Sequence, residues 1–98
     1  MKQLTFTLAA DHPTGIGHFP GNPIIPGALL LAEVLRSIGK ATGSRFVSCK
    51  VSSAKFHHPA RPGDSVVIAY SYLASGAIDF QCTVAATRVL SGVISAAT

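Results

Sequence analysis

The chain opens with apolar and polar residues in alternation, the pattern of a β-strand with one buried face. Leu4, Phe6 and Leu8 are separated by threonines, and a strand directs such alternate side chains to opposite sides of a sheet. A secretory signal peptide has a continuous apolar core instead. We therefore predict a strand within residues 1–10 and a cytoplasmic protein.

A stiff loop and one helix are predicted next. Residues 13–26 hold a dense cluster of glycine and proline, which is typical of a loop. Residues 27–41 contain no proline and are rich in strong helix formers, and Gly43 is placed to end the helix. The polar residues of this helix form one narrow stripe, namely Glu33, Arg36, Ser37 and Lys40. We expect a mostly buried helix, with Ala32 on a buried face.

Four further strands are predicted downstream of the helix, because β-branched and aromatic residues alternate there with turn residues. They span residues 45–56, 65–73, 77–84 and 89–96. The reversal at residues 85–88 carries no glycine, asparagine or proline. A lone apolar helix needs the inner face of a whole sheet to cover it. The order therefore predicts an α+β fold in which an antiparallel sheet wraps one central helix, as a single domain over residues 1–98.

Composition favours an oligomer with a protein partner. A chain of 98 residues buries only roughly 60–65% of its unfolded surface, and eight basic and four acidic residues are few to cover the rest. The net charge of +4 suits an acidic partner. Because the basic residues are scattered and no aromatic residues lie among them, we expect no nucleic-acid partner, and we expect no membrane partner.

The cysteines and three of the histidines indicate structural roles. Cys49 and Cys82 lack metal-ligand spacing and are expected to be small core hydrophobes. His57 and His58 are adjacent in a strand-like segment, where side chains point to opposite faces. They cannot both face one ion, so no metal site is predicted. His12 is assigned no chemistry.

One segment carries candidate chemistry. His18 lies in the proline-stiffened loop ahead of the helix, and a histidine fixed there is a suitable general base near neutral pH. Gly27 and Ala28 begin the helix, where backbone N–H groups have no intrahelical partner and the helix dipole is positive. Such groups are donors to a thioester carbonyl whose oxygen gains negative charge. A base and an oxyanion donor together suffice for enolate chemistry.

The segment from His18 to Gly27 resembles the signature of the β-hydroxyacyl-acyl-carrier-protein dehydratases of fatty-acid synthesis. It matches the pattern His-Phe-Pro-Gly-x-Pro-x-x-Pro-Gly at every fixed position, and the resemblance continues through Lys55-Phe56, Pro59 and the Arg61-Pro62-Gly63-Asp64 turn. It implies a hot-dog fold and a dimer with two active sites at the subunit interface. It also implies an acyl group carried on the phosphopantetheine of acyl carrier protein, with no other cofactor. In this pattern His18 abstracts the α-proton and the N–H of Gly27 polarises the thioester carbonyl.

The chain departs from this pattern at Ala32, where the family has the Asp or Glu that protonates the leaving hydroxyl. Glu33 is one residue later, which turns its side chain by about 100° around the helix. Glu33 is therefore either a surrogate acid or half of a solvated ion pair with the base at i+3. Three functions follow. The first is a dehydratase that forms trans-2-enoyl products from 3-hydroxyacyl thioesters. The alternatives are a degenerate subunit that binds acyl carrier protein within a homodimer or heterodimer, and an acyl thioesterase.

Overall fold

A computed structural model describes residues 2–8, 24–43 and 49–96 of the chain. Five strands and one helix follow in the predicted order: β1 (Lys2–Thr7), α1 (Gly27–Thr42), β2 (Cys49–Phe56), β3 (Ser65–Tyr72), β4 (Ile78–Val84) and β5 (Thr87–Ala96). The strands form one antiparallel sheet in the order β1-β3-β4-β5-β2. The predicted α+β class, with an antiparallel sheet and one helix, is confirmed.

The helix contacts the sheet through one face. Leu30, Val34 and Ile38 recur every four residues and are buried, so they form the apolar stripe of an amphipathic helix. The helix ends at Gly43, whose φ of 73° is the left-handed conformation that glycine adopts without steric cost. Residues 28, 32, 36 and 40 are exposed on the opposite face. The prediction of a mostly buried helix is therefore wrong for the single chain, because its sheet covers the helix from one side only.

The core lies between this helical stripe and the inner face of the sheet. Alternate residues of the central strands are buried there: Val66, Ile68 and Tyr70 of β3, Ile78, Phe80 and Cys82 of β4, and Leu90 and Ile94 of β5. The register places Ile68 opposite Cys82 and Cys82 opposite Leu90. Because side chains in one row across a sheet contact each other, the three central strands contribute a continuous apolar layer.

The hairpin between β4 and β5 turns on two residues, Ala85 and Ala86. Both have positive φ angles, 49° and 68°, and Val84 pairs with Thr87 across the turn. This is the two-residue hairpin that usually contains asparagine and glycine. β5 consequently begins two residues earlier than the predicted residue 89.

The edge strand β2 differs from the central strands in its exposure. It pairs only with β5, and a register shift between Val51 and Ser53 leaves Ser52 as a bulge. Val51 and Phe56 pair with the buried residues Ile94 and Leu90, so both belong to the inner face. They are nevertheless 40% and 51% exposed. The inner face of the sheet is thus open at this edge.

Candidate active site

The start of α1 is anchored to the segment that follows β2. The N–H of Ile25 donates to the carbonyl of Ala60 at 2.8 Å, in an isolated antiparallel bridge. The N–H groups of Leu29 and Leu30 both donate to the carbonyl of Pro26 at 3.0 Å. In the described part of the chain, no side chain caps this helix end, and no backbone acceptor faces the N–H of Gly27 or Ala28. N–H groups in the first turn of a helix need an acceptor from outside the helix.

The ring of Phe56 lies directly over Gly27. A Cβ atom built on Gly27 would lie 2.9 Å from Cε1 of Phe56, closer than Cβ atoms approach other heavy atoms, and 3.1 Å from Cδ1. Glycine at this position thus allows the ring to cover the start of the helix. Sequence reasoning noted the Lys55-Phe56 pair only within the resemblance and did not assign Phe56 to the site, because nothing in the sequence links it to Gly27.

The predicted base, His18, lies outside the described residues, as do His12 and most of the motif. The described part of the motif comprises Ile24 to Gly27. It ends at Gly27, whose N–H group has no acceptor among the described residues; the oxyanion role of Gly27 stays a prediction. The role of His18 stays a prediction.

Ala32 is exposed on the outer face of α1, one turn beyond Ala28. The expectation that this position is buried is wrong, because only residues on the stripe of Leu30, Val34 and Ile38 face the sheet. A longer side chain at position 32 would extend away from the core of its own chain. A second subunit against this face would meet position 32 directly.

Glu33 lies on a different side of the helix and is paired. Its Oε2 atom accepts a hydrogen bond from Nη2 of Arg36 at 2.7 Å, and its side chain is 25% exposed. Glu33 and Arg36 line an open groove of about 460 Å³ between the helix and β1, together with Ser37, Lys40, Ala41 and residues 4–7. The carboxylate is thus engaged with the base at i+3, one of the two roles predicted for it.

Other titratable side chains of the described residues lie just after β2 and in the core. Nε2 of His57 is 2.9 Å from Oγ of Ser91, and both His57 and His58 are exposed. Cys82 is buried in the core, and this burial raises the pKa of its thiol to about 12. Within the described ranges, no group of three or more histidine, cysteine or acidic side chains is arranged to hold a metal ion, and no helix there has the length and hydropathy to cross a membrane.

Known proteins of similar sequence include dehydratases. The ApeI-like family model, described as ApeI dehydratase, matches residues 1–93. The 3-hydroxyacyl-(acyl-carrier-protein) dehydratase FabZ of Wolbachia sp. subsp. Drosophila simulans (strain wRi) is 32% identical over 107 residues, covering 98% of this chain and 72% of that protein. FabZ of Ehrlichia chaffeensis (strain ATCC CRL-10679 / Arkansas) is 36% identical over 73 residues, covering 69% of this chain and 48% of that protein. The chain thus spans 72% of one relative and about half of the other.

Solved structures of similar fold include two more hydratase or dehydratase proteins. The dehydratase heterocomplex ApeI:P from Xenorhabdus doucetiae matches with a TM-score of 0.72 at 22% identity, over 95% of this chain and 83% of that chain. The (R)-hydratase from A. caviae matches with a TM-score of 0.67 at 14% identity, over 98% and 93%. These neighbours confirm the hot-dog fold. With the family model covering nearly the whole sequence, the chain belongs to the ApeI-like dehydratase family.

Proposed function

We propose that this chain is a dehydratase-type subunit that acts on 3-hydroxyacyl thioesters carried by acyl carrier protein and forms trans-2-enoyl products. The observation that carries the proposal is the helix start at Gly27 and Ala28. Its two N–H groups have no acceptor in the described residues, and the half-exposed ring of Phe56 lies beside them. Gly27 is the last residue of the motif that begins at His18.

The proposed reaction divides between a base, an oxyanion donor and an acid. His18 removes the proton from C2 of the acyl chain while the N–H of Gly27, supported by Ala28, donates to the thioester oxygen. The electrons of the broken C2–H bond form the enolate C1=C2 bond, and the thioester oxygen takes the negative charge. When the C=O bond re-forms, these electrons form the C2=C3 double bond as the C3–O bond breaks, and the hydroxyl group accepts a proton and leaves as water. Because the acyl group arrives on phosphopantetheine, these steps need no resident cofactor.

A homodimer of this chain lacks an assigned donor for the proton that the leaving hydroxyl group requires. Ala32 has no proton to give, and Glu33 is held by Arg36 in the groove beside β1. The exposure of Ala32 supports a second candidate function, a half-site subunit whose acid comes from a related partner chain. The ApeI:P neighbour is a heterocomplex, and this supports pairing with a related chain.

Substitutions at positions 32 and 33 test these alternatives. General acid catalysis contributes on the order of 10²–10⁴-fold. We expect Ala32→Asp to raise dehydration of a 3-hydroxyacyl carrier-protein thioester by roughly 10²-fold and Glu33→Gln to change it little, measured as enoyl-thioester formation by the purified protein. Because Ala32 is exposed, the aspartate costs only helix propensity, about 0.7 kcal/mol. Ala41→Asp, on the same helix and also exposed, is the matched control and is expected to leave the rate unchanged.

Other results reject specific parts of the proposal. If Glu33→Gln lowers the rate by roughly 10²-fold and Ala32→Asp brings no gain, Glu33 is the acid. If His18→Ala keeps most of the activity, the base lies elsewhere and the motif has been misassigned. Release of free thiol without enoyl product identifies a thioesterase. A wild-type chain that dehydrates only after mixing with a related subunit carrying an acid at the equivalent position establishes the half-site function.

A further inference from the structure

Within the described ranges, the outer edge of β1 is unpaired. β1 ends the sheet and pairs with β3 alone. The N–H of Leu8 donates to the carbonyl of Asp64 at 2.9 Å, so the backbone of Leu8 faces β3. Backbone groups of successive strand residues point to opposite edges of the strand, and the pairing is regular over residues 2–7. The N–H and C=O groups of Thr5 and Thr7 therefore point away from β3.

This free edge forms one wall of the open groove of about 460 Å³ between the helix and β1, which we call the β1 groove. Residues 4–7 line the strand side of the groove, and the helix side is lined by Glu33, Arg36, Ser37, Lys40 and Ala41. No backbone acceptor among the described residues faces the N–H of Thr5 or Thr7. An added strand lies about 4.8 Å from its neighbour, which places it in the β1 groove. Free main-chain donors and acceptors at such an edge are the groups that bind an extended peptide.

The helix wall of the β1 groove carries a local excess of positive charge. Glu33 and Arg36 offset each other in their ion pair, whereas Lys40 has no ion-pair partner among the described residues. The side chain of Arg36 is also 66% exposed, and a guanidinium group has five N–H donors, so it can bind a second carboxylate. The groove therefore favours an incoming strand that carries acidic side chains.

β1 lacks the usual features that keep an edge strand from pairing with other chains. Such strands carry charged side chains, prolines or bulges. Residues 3–7 contain no charged residue and no proline, and their pairing with β3 has no register shift. The lysine of this strand, Lys2, lies at its first position. The central part of β1 is therefore able to pair with a further strand.

We infer that the β1 groove binds an extended acidic segment of a partner protein. The segment adds to the sheet beside β1, pairs with the backbone of Thr5 and Thr7, and directs its carboxylates to Arg36 and Lys40. A second copy of β1 fits this groove less well, because residues 2–7 carry a lysine and no acidic residue. The inference does not use Gly27, so it is independent of the proposed reaction.

Titration of the full chain with capped model peptides tests the inference. The probe is a hexapeptide of alternating threonine and glutamate, and its control alternates threonine and lysine. We expect the glutamate peptide to bind at least about tenfold more tightly at low salt, because opposite charges meet in the β1 groove. Nitrogen–proton correlation NMR measures the affinity and identifies the site, since the amide signals of Thr5 and Thr7 are expected to shift.

N-methylated peptides test whether main-chain pairing holds the ligand. Methylation of every threonine blocks the donors on one edge of the glutamate peptide, and methylation of every glutamate blocks those on the other edge. An added strand pairs through one edge only. We therefore expect one of these two peptides to bind roughly tenfold or more weakly, because it loses several hydrogen bonds, and the other to bind like the parent peptide.

Variants of the chain test the two walls of the groove separately. Thr5→Pro removes an N–H group from the free edge and keeps the pairing of β1 with β3, since proline is tolerated at such edge positions. We expect this variant to fold, as judged by circular dichroism, and to bind the glutamate peptide roughly tenfold more weakly. Arg36→Gln/Lys40→Gln is expected to weaken binding about tenfold. Lys50→Gln/Lys55→Gln on β2 makes the same change in net charge, from +4 to +2, and is expected to bind like the wild type.

Several results would overturn the inference. It is wrong if the glutamate and lysine peptides bind equally, if both N-methylated peptides bind like the parent, or if no peptide shifts the amide signals of Thr5 and Thr7. Self-association that Thr5→Pro abolishes, without peptide binding, would identify a second copy of the chain as the occupant and would also overturn it. If Thr5→Pro does not fold, the N-methylated peptides still decide whether main-chain pairing holds the ligand.

Discussion

The inner face of the sheet is covered over its central strands and open at the β2 edge, and two phenylalanines show the difference. Phe80 of β4 is fully buried between the helix and its neighbouring strands, whereas Phe56 of β2 is 51% exposed. Both point to the same side of the same sheet. Phe80 belongs to the buried cluster that includes Leu30 and Val34 of α1, whereas Phe56 lies on the edge strand of the sheet.

This comparison indicates that the central strands and the β2 edge of the sheet have different roles. The central strands stabilise the fold, because their apolar residues gain the full free energy of burial. The uncovered end of β2 lies beside Gly27 and presents apolar surface outside the core. Exposed apolar residues grouped at one edge of a sheet are typical of an interaction site rather than of a solvated surface.

Truncating the two phenylalanines gives the largest expected contrast. Phe80→Ala removes a fully buried ring and is expected to lower the free energy of unfolding by about 3–5 kcal/mol. Phe56→Ala is expected to cost only about 1 kcal/mol, since half of its ring is already in water. Urea denaturation followed by circular dichroism measures both values. Equal costs would show that Phe56 is covered in the isolated chain, and the distinction between centre and edge would fail.

Two substitutions of Phe56 separate its effect on activity from its effect on stability. We expect Phe56→Ala to lower turnover of acyl thioesters more than Phe56→Leu, which keeps an apolar side chain next to Gly27. Tyr72→Ala is the matched control, because Tyr72 is an exposed aromatic residue at the end of β3, away from α1's start. A loss of activity in the control as large as that in Phe56→Ala would contradict a specific role for the ring.

Gly92 lies where the buried and the exposed parts of the inner face meet. We expect a methyl group at this position to have the next largest effect on the stability of the fold. A Cβ atom on Gly92 would overlap the carbonyl oxygen of Ser53 and lie 3.0 Å from Cζ of Phe80. Backbone cannot rotate away as a side chain can, so we expect Gly92→Ala to destabilise the fold by about 1–3 kcal/mol. Thermal unfolding checks this, with Ser95→Ala on the outer side of β5 as the control. An unchanged melting temperature would mean that β2 shifts freely against β5.

Much of the architecture could be predicted because it depends on local patterns. Alternation from Leu4 to Leu8, and again through β3 and β4, specifies strands and their buried faces without knowledge of the rest of the chain. The predicted helix began at Gly27 as observed and ended one residue before Thr42. These elements follow from helix propensity and from Gly43, both of which act over a few residues.

Features that depend on contacts between segments far apart in the sequence could not be predicted from the sequence. Ala85 and Ala86 adopt positive φ at a cost of about 1 kcal/mol or more each, and only the pairing of β4 with β5 offsets it. The contact of Phe56 with Gly27 joins two segments that have no shared motif. The exposure of Ala32 depends on what covers the outer face of α1, which a single chain does not specify.

The effect that is smallest at neutral pH concerns Cys82, one of the buried residues of the central strands, because it appears only in alkaline solution. Burial raises the pKa of this thiol from 9.0 to about 12. The unfolded chain therefore loses the proton at lower pH than the folded one, so the stabilisation is complete below pH 9 and is lost as pH rises from 9 towards 12. We expect the free energy of unfolding to fall by up to about 1.4 kcal/mol per pH unit from this group. Urea titrations between pH 8 and pH 10.5 in a Cys49→Ser background, with and without Cys82→Ala, isolate its contribution, because every other titrating group is shared. Parallel pH profiles for the two proteins would show that the thiol of Cys82 is reached by solvent and that the centre of the sheet is less completely covered than its packing indicates.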